Sequence, residues 1–335
     1  MAADLVHAAI AAIAAGRPVV VTDDPSRENE GDLIFAATHA TPKLVAFTVR
    51  HTSGFVCVAL SGEDCDRLAL PPMHHRADDP FGTAYRVTVD LRSTGTGISA
   101  TDRARTIAAL AAPESAPDDF TRPGHVVPLM AREGGVLRRP GHTEAAVDLA
   151  RLAGLPAAGA LCEIVSSDRP GHMAGGGELA RFAAEHDLVY LSIADLVAFR
   201  QRTETQVRRA AATSLPTSYG RFEAIGYEGR YDSAQHIALL AGPVTADMPV
   251  YVHTECLTGD VMRSAACRCG RNLDEAMKRF TTEGRGVIVY LRPAGLPRAC
   301  GLFDDVRGAD VARWILDDLG VRTAMESTVD GLIAV

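Results

Sequence analysis

"VVVTDDPSRENEGDLIFAAT", residues 19–38, sets two apolar runs around a dense acidic gap. Both runs have the length and β-branched character of short strands. Between them stand Asp23, Asp24, Glu28, Glu30 and Asp32, with Arg27 as the local cation. Acidic turns between strands are usually just solvated. Here the carboxylates are too dense for one arginine to neutralise, so they are expected to offer hard oxygen ligands to Mg²⁺ or Mn²⁺. Arg27 is expected to reach a phosphate or a hydroxyl-rich substrate rather than pair with its neighbours.

Outward from this stretch, short β-rich runs alternate with helical segments. "GFVCVAL", "AYRVTVDL" and "GALCEIV" continue the strands, and "TPKLVAFTVRHTSG", "TDRARTIAALAA", "HTEAAVDLARLAG", "GGELARFAAEHDL" and "SIADLVAFRQRTE" are predicted helices. Thr101 or Asp102 is the expected N-cap of the second of these, and Gly154 the stop of the third. The fold class is α/β (α+β), with a mixed sheet in the first domain. A charged, apolar-poor stretch, "RQRTETQVRRAAATSLPTSYG", is expected to cross to a second domain, with Pro216 and Gly220 as punctuation. The boundary is set near residue 203, giving domains 1–202 and 203–335. In the smaller α/β domain "GRFEAIGYEG", "HIALLAG", "VYVHTECL" and "GVIVYLR" are predicted strands, and "RNLDEAMKRFTTEG" and "GADVARWILDDLG" helices.

A net charge of -8 and a sequence pI near 5.8 argue against nucleic acid or an anionic membrane as partner. No window approaches the roughly 18 uninterrupted apolar residues of a membrane span. The start, "MAADLVHAAIAAIAAG", fits an amphipathic helix better than a signal peptide, so the cytoplasm is the expected location. Of the seven cysteines, Cys57, Cys65, Cys162 and Cys300 are scattered and expected to be small buried hydrophobes. Cys256, Cys267 and Cys269 cluster in "HTECLTGDVMRSAACRCG", where three thiolates and a water would make a zinc site with one open position.

His125 in "RPGHVVPL" and His142 in "GGVLRRPGHTEAAVDLA" each follow Pro-Gly, in turns where chemistry tends to concentrate. "STGTGISATDRARTI" adds a Gly/Thr/Ser loop ahead of a helix. Together with "DDPSRENEGDLIFAA" and "HTSGFVCVAL", these segments resemble 3,4-dihydroxy-2-butanone 4-phosphate synthase of riboflavin biosynthesis, in order, over about residues 1 to 200. The resemblance implies conversion of ribulose 5-phosphate to L-3,4-dihydroxy-2-butanone 4-phosphate and formate, with Mg²⁺, at active sites formed by a homodimer. It implies Glu28 and His142 as metal ligands, and Arg27 and Asp32 as substrate contacts. Arg139, Pro140, Gly141, His142 and Thr143 would form the loop that binds the phosphorylated sugar. His125 and Glu163 would be essential for catalysis, with Glu30 in the same acidic loop and Cys57 and Thr96 at further active-site positions. Pro140 departs from the small or basic residue more usual there.

The cysteine segment, with "LPTSYGRFEAIGY", "HIALLAG", "GVIVYLR" and "ARWILDDLGV", resembles GTP cyclohydrolase II, so the chain resembles the bifunctional fusion. The resemblance implies Zn²⁺ on Cys256, Cys267 and Cys269. Several GTP-handling positions do not carry over. Tyr251 stands where the family has arginine, and Ala266 and Arg268 flank Cys267 where the family has arginine and aspartate. "PAGLPRACGLF" replaces Gln-Glu-Gly-Arg-Gly-Ile-Gly-Leu, "RTAMESTVDGLIAV" replaces a Thr-Asn-Asn-Pro segment, and several dozen residues between are missing. Little or no GTP cyclohydrolase II activity is therefore expected. The alternatives are a fully bifunctional enzyme, a zinc-binding structural or regulatory module, and a changed substrate.

Overall fold

The computed structural model describes residues 2–76, 79–292, 294–295, 297–300, 308–322 and 332–333. It divides into two compact units, Met1–Arg200 and Gln201–Val335. The first runs α1 (Ala2–Ala14), β1 (Val19–Thr22), β2 (Gly31–Ala36), α2 (Pro42–His51), β3 (Cys57–Leu60), α3 (Gly62–Arg67), β4 (Val89–Leu91), α4 (Ala100–Ala111), β5 (Phe120–Met130), α5 (His142–Leu152), β6 (Gly159–Glu163), α6 (Gly177–Glu185), β7 (Val189–Ser192) and α7 (Ile193–Thr203).

Its seven strands form one sheet in the order β4-β5-β3-β6-β2-β1-β7. The sheet is mixed: β3 runs parallel to β5 and β1 to β7, and the other pairs are antiparallel. The two-residue period of the strands sorts the core. Val19, Val21, Ile34 and Ala36 pack with Val6 and Ile13 of α1, Leu149 of α5 and Leu196 of α7. Phe35, Val58 and Leu60 turn the other way, against Val45 of α2 and Ile107 of α4, while Val20 and Leu33 meet Leu179 of α6. Apolar residues on both faces are what a sheet covered by helices on both sides requires.

Several local expectations need correction. Ser99, not Thr101 or Asp102, caps α4: its hydroxyl accepts the Asp102 N–H at 3.0 Å. "RPGHVVPL" lies inside β5 rather than in a turn, and β7 was not anticipated, because four residues beside a helix start give too little pattern to see. Gly154 does follow the end of α5 in the left-handed region, at φ 74°.

The second unit continues with β8 (Val207–Thr217), β9 (Gly220–Gly229), β10 (Gln235–Ala241), β11 (Val250–Thr254), α8 (Leu257–Asp260), α9 (Cys269–Glu283), β12 (Gly286–Leu291), α10 (Gly308–Leu319) and β13 (Leu332–Ile333). Its sheet order is β13-β11-β12-β10-β9-β8. The stretch expected to be a linker is largely β8, an edge strand paired antiparallel to β9. Nearly all its residues are exposed, so it shows no hydrophobic alternation, and Pro216 is tolerated because an edge strand need not donate on both sides. Most of the "RTAMESTVDGLIAV" replacement, apart from Arg322 and the two residues of β13, and part of "PAGLPRACGLF" lie outside the described residues.

Candidate functional sites: an acidic cluster and a cysteine cluster

Register brings the first site together. Asp32 on β2 pairs with Glu163 on β6, Cys57 on β3 pairs with Leu161 of β6 and with Val127 of β5, and β1 ends just before Asp23. One end of the sheet thus collects Asp23, Asp32, Cys57, Glu163 and, two residues before Val127, His125. The 23–30 loop closes through the Asp23 N–H, which donates to the Glu30 carbonyl at 3.3 Å.

Asp23 organises that loop. Its buried carboxylate accepts the backbone N–H groups of Glu28 and Glu30, each at 3.0 Å, and Arg27 Nη1 at 3.0 Å. Asn29 takes φ 56°, a left-handed conformation that asparagine tolerates better than most residues. Arg27 also donates to Glu28 at 2.8 Å, and its guanidinium lies 5.1 Å from the Phe81 ring centre. The expectation that Arg27 does not pair with its neighbours is therefore corrected: burying Asp23 without a cation would be costly, and Arg27 supplies it.

His142 opens α5 with its ring buried. Nε2 lies 3.1 Å from the Val21 carbonyl oxygen. A carbonyl only accepts, so Nε2 carries the proton and Nδ1 faces Glu28 at 3.6 Å and Asp32 at 4.0 Å. Asp23, Glu28 and His142 each bring a ligand atom within 4.8 Å of the others. Asp32 Oδ1 is buried without a hydrogen-bond partner. A histidine fixed by a backbone carbonyl, beside carboxylates and an unsatisfied buried oxygen, is a donor set that fits a hard divalent cation.

The electrostatics agree. The His142 ring, and after it Arg27, holds the Glu28 carboxyl below its usual range, against the opposing effect of burial. Burial pushes Glu30 up, with repulsion from Glu163 and Glu28 adding to it. Burial also pushes Asp32 up, while the surrounding carboxylates overcome burial at His142 and raise it. Burial and Glu163 push the Cys57 thiol well up, so it sits there as a neutral thiol rather than a thiolate nucleophile. Glu163 itself accepts the Ser53 hydroxyl at 2.7 Å.

Two further groups flank this cluster. Arg139 spans the entry to α5, donating to Glu144 at 2.6 Å, to the Phe81 carbonyl at 3.0 Å and to the Thr83 hydroxyl at 3.1 Å. A Cβ at Gly141 would lie 2.4 Å from Arg139 Nη1 and 2.9 Å from Glu144 Oε2, so a side chain there would push this ion pair aside. Pro140 is exposed, and Thr143 is buried behind it. His125 is paired with Asp90: Nδ1 lies 2.7 Å from Asp90 Oδ2, and the His125 N–H donates to Oδ1 at 2.9 Å. Thr96 is exposed in the loop after β4, beside Gly97, whose φ of 83° and close approach to Asp90 exclude a side chain. Among the described residues no hydrogen bond joins His125 to the Glu28–His142 group.

In the second unit, Cys256, Cys267, Cys269 and Cys300 bring their sulfurs within 4.8 Å of one another. The expectation for Cys300 is corrected: it is exposed and belongs to the cluster. Cys256 precedes α8, and Cys269 begins α9. Behind them is a polar network. Asp260 accepts His253 Nε2 at 2.9 Å, the Tyr290 hydroxyl at 2.8 Å and the Cys256 N–H at 2.9 Å, while the Tyr251 hydroxyl meets His253 Nδ1 at 3.1 Å. Burial opposes ionisation of Cys256, but hydrogen bonds from the Thr258 hydroxyl and the Cys300 N–H outweigh it and bring the thiol down to about 6. Cys269 is pushed up by burial and by its sulfur neighbours. Four sulfurs this close together mark a place where a cation would stabilise the thiolates.

Residues 7–199 match the family model for 3,4-dihydroxy-2-butanone 4-phosphate synthase, and residues 208–303 that for GTP cyclohydrolase II. The chain belongs to the 3,4-dihydroxy-2-butanone 4-phosphate synthase family. It is a fusion of that domain with a GTP cyclohydrolase II domain. It is similar to the riboflavin biosynthesis protein RibBA of Salinispora tropica, at 60% identity over 290 residues, 86% of this chain and 72% of that one. The Rhodococcus jostii RibBA is 58% identical over 296 residues, 86% of this chain and 71% of that one. Among solved structures, RibBX of A. baumannii, described as a two-domain 3,4-dihydroxy-2-butanone 4-phosphate synthase, superposes with a TM-score of 0.76 at 36% identity, covering 97% of this chain and 94% of that one. A 3,4-dihydroxy-2-butanone 4-phosphate synthase in complex with two magnesium ions gives 0.56 at 46% identity, covering 59% of this chain and 97% of that one.

Sequence reasoning missed three residues, two in the synthase unit and one in the second unit. Asp23 was counted only as one more carboxylate. Asp90 stands between Val89 and Leu91 in a predicted strand, and an acid inside a strand is the signal that it needs a partner. Cys300 follows the last long strand of its sheet, and only the fold carries it back to Cys269, 31 positions earlier.

Proposed function

We propose that the first domain converts ribulose 5-phosphate to L-3,4-dihydroxy-2-butanone 4-phosphate and formate. The observation that carries this is the His142 ring, fixed through Val21 with Nδ1 turned to Glu28 and Asp32. Glu28 and His142 would hold Mg²⁺ or Mn²⁺, with Asp23 within reach. When bound, the ion polarises the ketose carbonyl and stabilises the charge that develops on it. Glu30, Asp32 and Glu163 form a stock of carboxyls with separated proton affinities, suited to successive proton transfers. His125, held by Asp90, is a second proton carrier at the same end of the sheet. Cys57 and Thr96 line the substrate, and the Arg139–Thr143 loop receives the sugar phosphate while Arg27 steadies the acidic loop. Exposed Phe55, Ile98 and Val165 flank these strand ends, apolar surface that a second copy would cover in a cytoplasmic homodimer.

The second domain we read as a zinc-binding module without GTP cyclohydrolase II activity. Tyr251, where an arginine would meet a triphosphate, is buried and spent on His253. Pure protein incubated with ribulose 5-phosphate and Mg²⁺ should release formate, and Glu28→Gln or His142→Ala should stop it. Unchanged formate release in both variants overturns the metal assignment. GTP should give neither formate nor pyrophosphate, and clear turnover overturns the inactive second domain.

A further inference from the structure

The metal expected on the cysteines would, with three thiolates, keep a coordination position for water. The cluster contains a fourth sulfur. Cys256 and Cys267 are 3.8 Å apart, the edge length of a tetrahedron with zinc–sulfur bonds of about 2.3 Å. Cys269 and Cys300 lie 3.1 Å apart, too far for a disulfide of about 2.05 Å and about 0.7 Å inside that edge, so an ion bound by both would open the pair slightly.

Backbone contacts deliver Cys300 to this place. The Leu257 N–H donates to the Arg298 carbonyl at 2.7 Å, tying the Cys300 segment to the start of α8. Two residues on, the Cys300 N–H donates to Cys256 Sγ at 3.4 Å. N–H···S bonds of this kind stabilise thiolates around a metal. On another side of the cluster a Cβ at Gly259 would lie 2.8 Å from Cys267 Sγ and 3.2 Å from Cys256 Sγ, so backbone packs directly on the sulfurs.

We propose that Cys256, Cys267, Cys269 and Cys300 hold one zinc ion in a closed four-thiolate site, structural rather than catalytic. This rests on the zinc-binding module proposed above and specifies its chemistry. Four sulfur ligands leave no position for an activated water, whatever else the domain has kept or lost. The role of Cys300 is then to convert a water-activating geometry into a clamp that ties the segment after β12 to α8 and α9.

X-ray absorption at the zinc edge of the purified full chain tests it. The expected result is four sulfurs at about 2.3 Å, falling to three sulfurs and one lighter atom in Cys300→Ser. Three sulfurs plus an oxygen in the wild type overturn the proposal while leaving the zinc module standing. A preparation with no metal on these cysteines, or with Cys269 and Cys300 joined as a disulfide resistant to alkylation, overturns both. Cobalt substitution gives an independent readout: thiolate charge-transfer absorption should drop by about a quarter in Cys300→Ser, from four thiolates to three, and no drop counts against the fourth ligand. GTP turnover with four sulfurs bound would overturn both the inactive-domain proposal and the structural role given to this site.

Discussion

His142 Nε2 lies 3.1 Å from the Val21 carbonyl oxygen, so the last β1 residues set the tautomer of a histidine 121 positions later. The strand that presents the acidic loop therefore also aims Nδ1 at it. Replacing His142 with Ala should abolish the heat of Mg²⁺ binding in calorimetry while the far-ultraviolet spectrum stays unchanged. An unaltered titration would mean that the imidazole does not face the ion.

Asp23 should matter almost as much without needing to touch substrate. Its two oxygens hold Arg27 and two backbone N–H groups, and asparagine can accept through only one of them. Asp23→Asn should weaken Mg²⁺ binding by about 10- to 100-fold, the usual cost of loosening a ligand's support. A variant that binds Mg²⁺ as the parent does would assign the loop's order to something else.

Asp90 offers a sharper separation of orientation from chemistry. His125→Ala should lower kcat by about 10²- to 10⁴-fold, the range for a lost acid–base group. Asp90→Asn leaves His125 in place but weakens the contact that orients it, so kcat should fall less than in His125→Ala while KM stays close to the parent's. A kcat equal to the parent's would show that Asp90 does not position the ring.

What could be seen in the sequence tracks how local each signal is. The strands around residues 19–38 and the helix opening at His142 carry their own periodicity, so their existence needed no tertiary information. Glu28, Asp32, Glu163 and His142 then meet because antiparallel register places Asp32 opposite Glu163. That meeting is a property of the sheet order, which pattern alone does not fix. Edge strand β8 was invisible for the opposite reason: its partner is clear, but its exposed residues lack the alternation that marks a strand. Cys300 was misplaced because a cysteine's surroundings are set by chain crossing, not by its neighbours.

Asp148 and Arg200 form a buried pair at 2.6 Å, and Asp148 also accepts the Val136 N–H at 2.8 Å. Both side chains are almost wholly shielded, so removing the carboxylate takes a buried charge from beside the guanidinium and leaves the Val136 N–H without its acceptor. Asp148→Ala should cost about 3–5 kcal/mol of first-unit stability, read as a lower denaturant midpoint for that transition. A loss below about 1 kcal/mol would show that water reaches the pair and screens it.

Glu178 makes the stability of the 166–168 turn depend on acid. Its carboxylate accepts the Asp168 N–H at 3.1 Å, the Ser166 hydroxyl at 2.8 Å and the Ser167 N–H at 2.6 Å, and these bonds, the Asp168 N–H foremost, depress it to about 2 from an ordinary 4.5. A carboxyl whose folded value is depressed stabilises the fold fully above its unfolded value, and loses that contribution as pH falls through the folded one. The gap in melting temperature between the parent and Glu178→Gln should therefore hold steady from pH 7 down to about 5. It should then close between about 4.5 and 2, where both side chains are neutral. A gap that does not change with pH would mean that the turn is held by shape rather than by the carboxylate's charge.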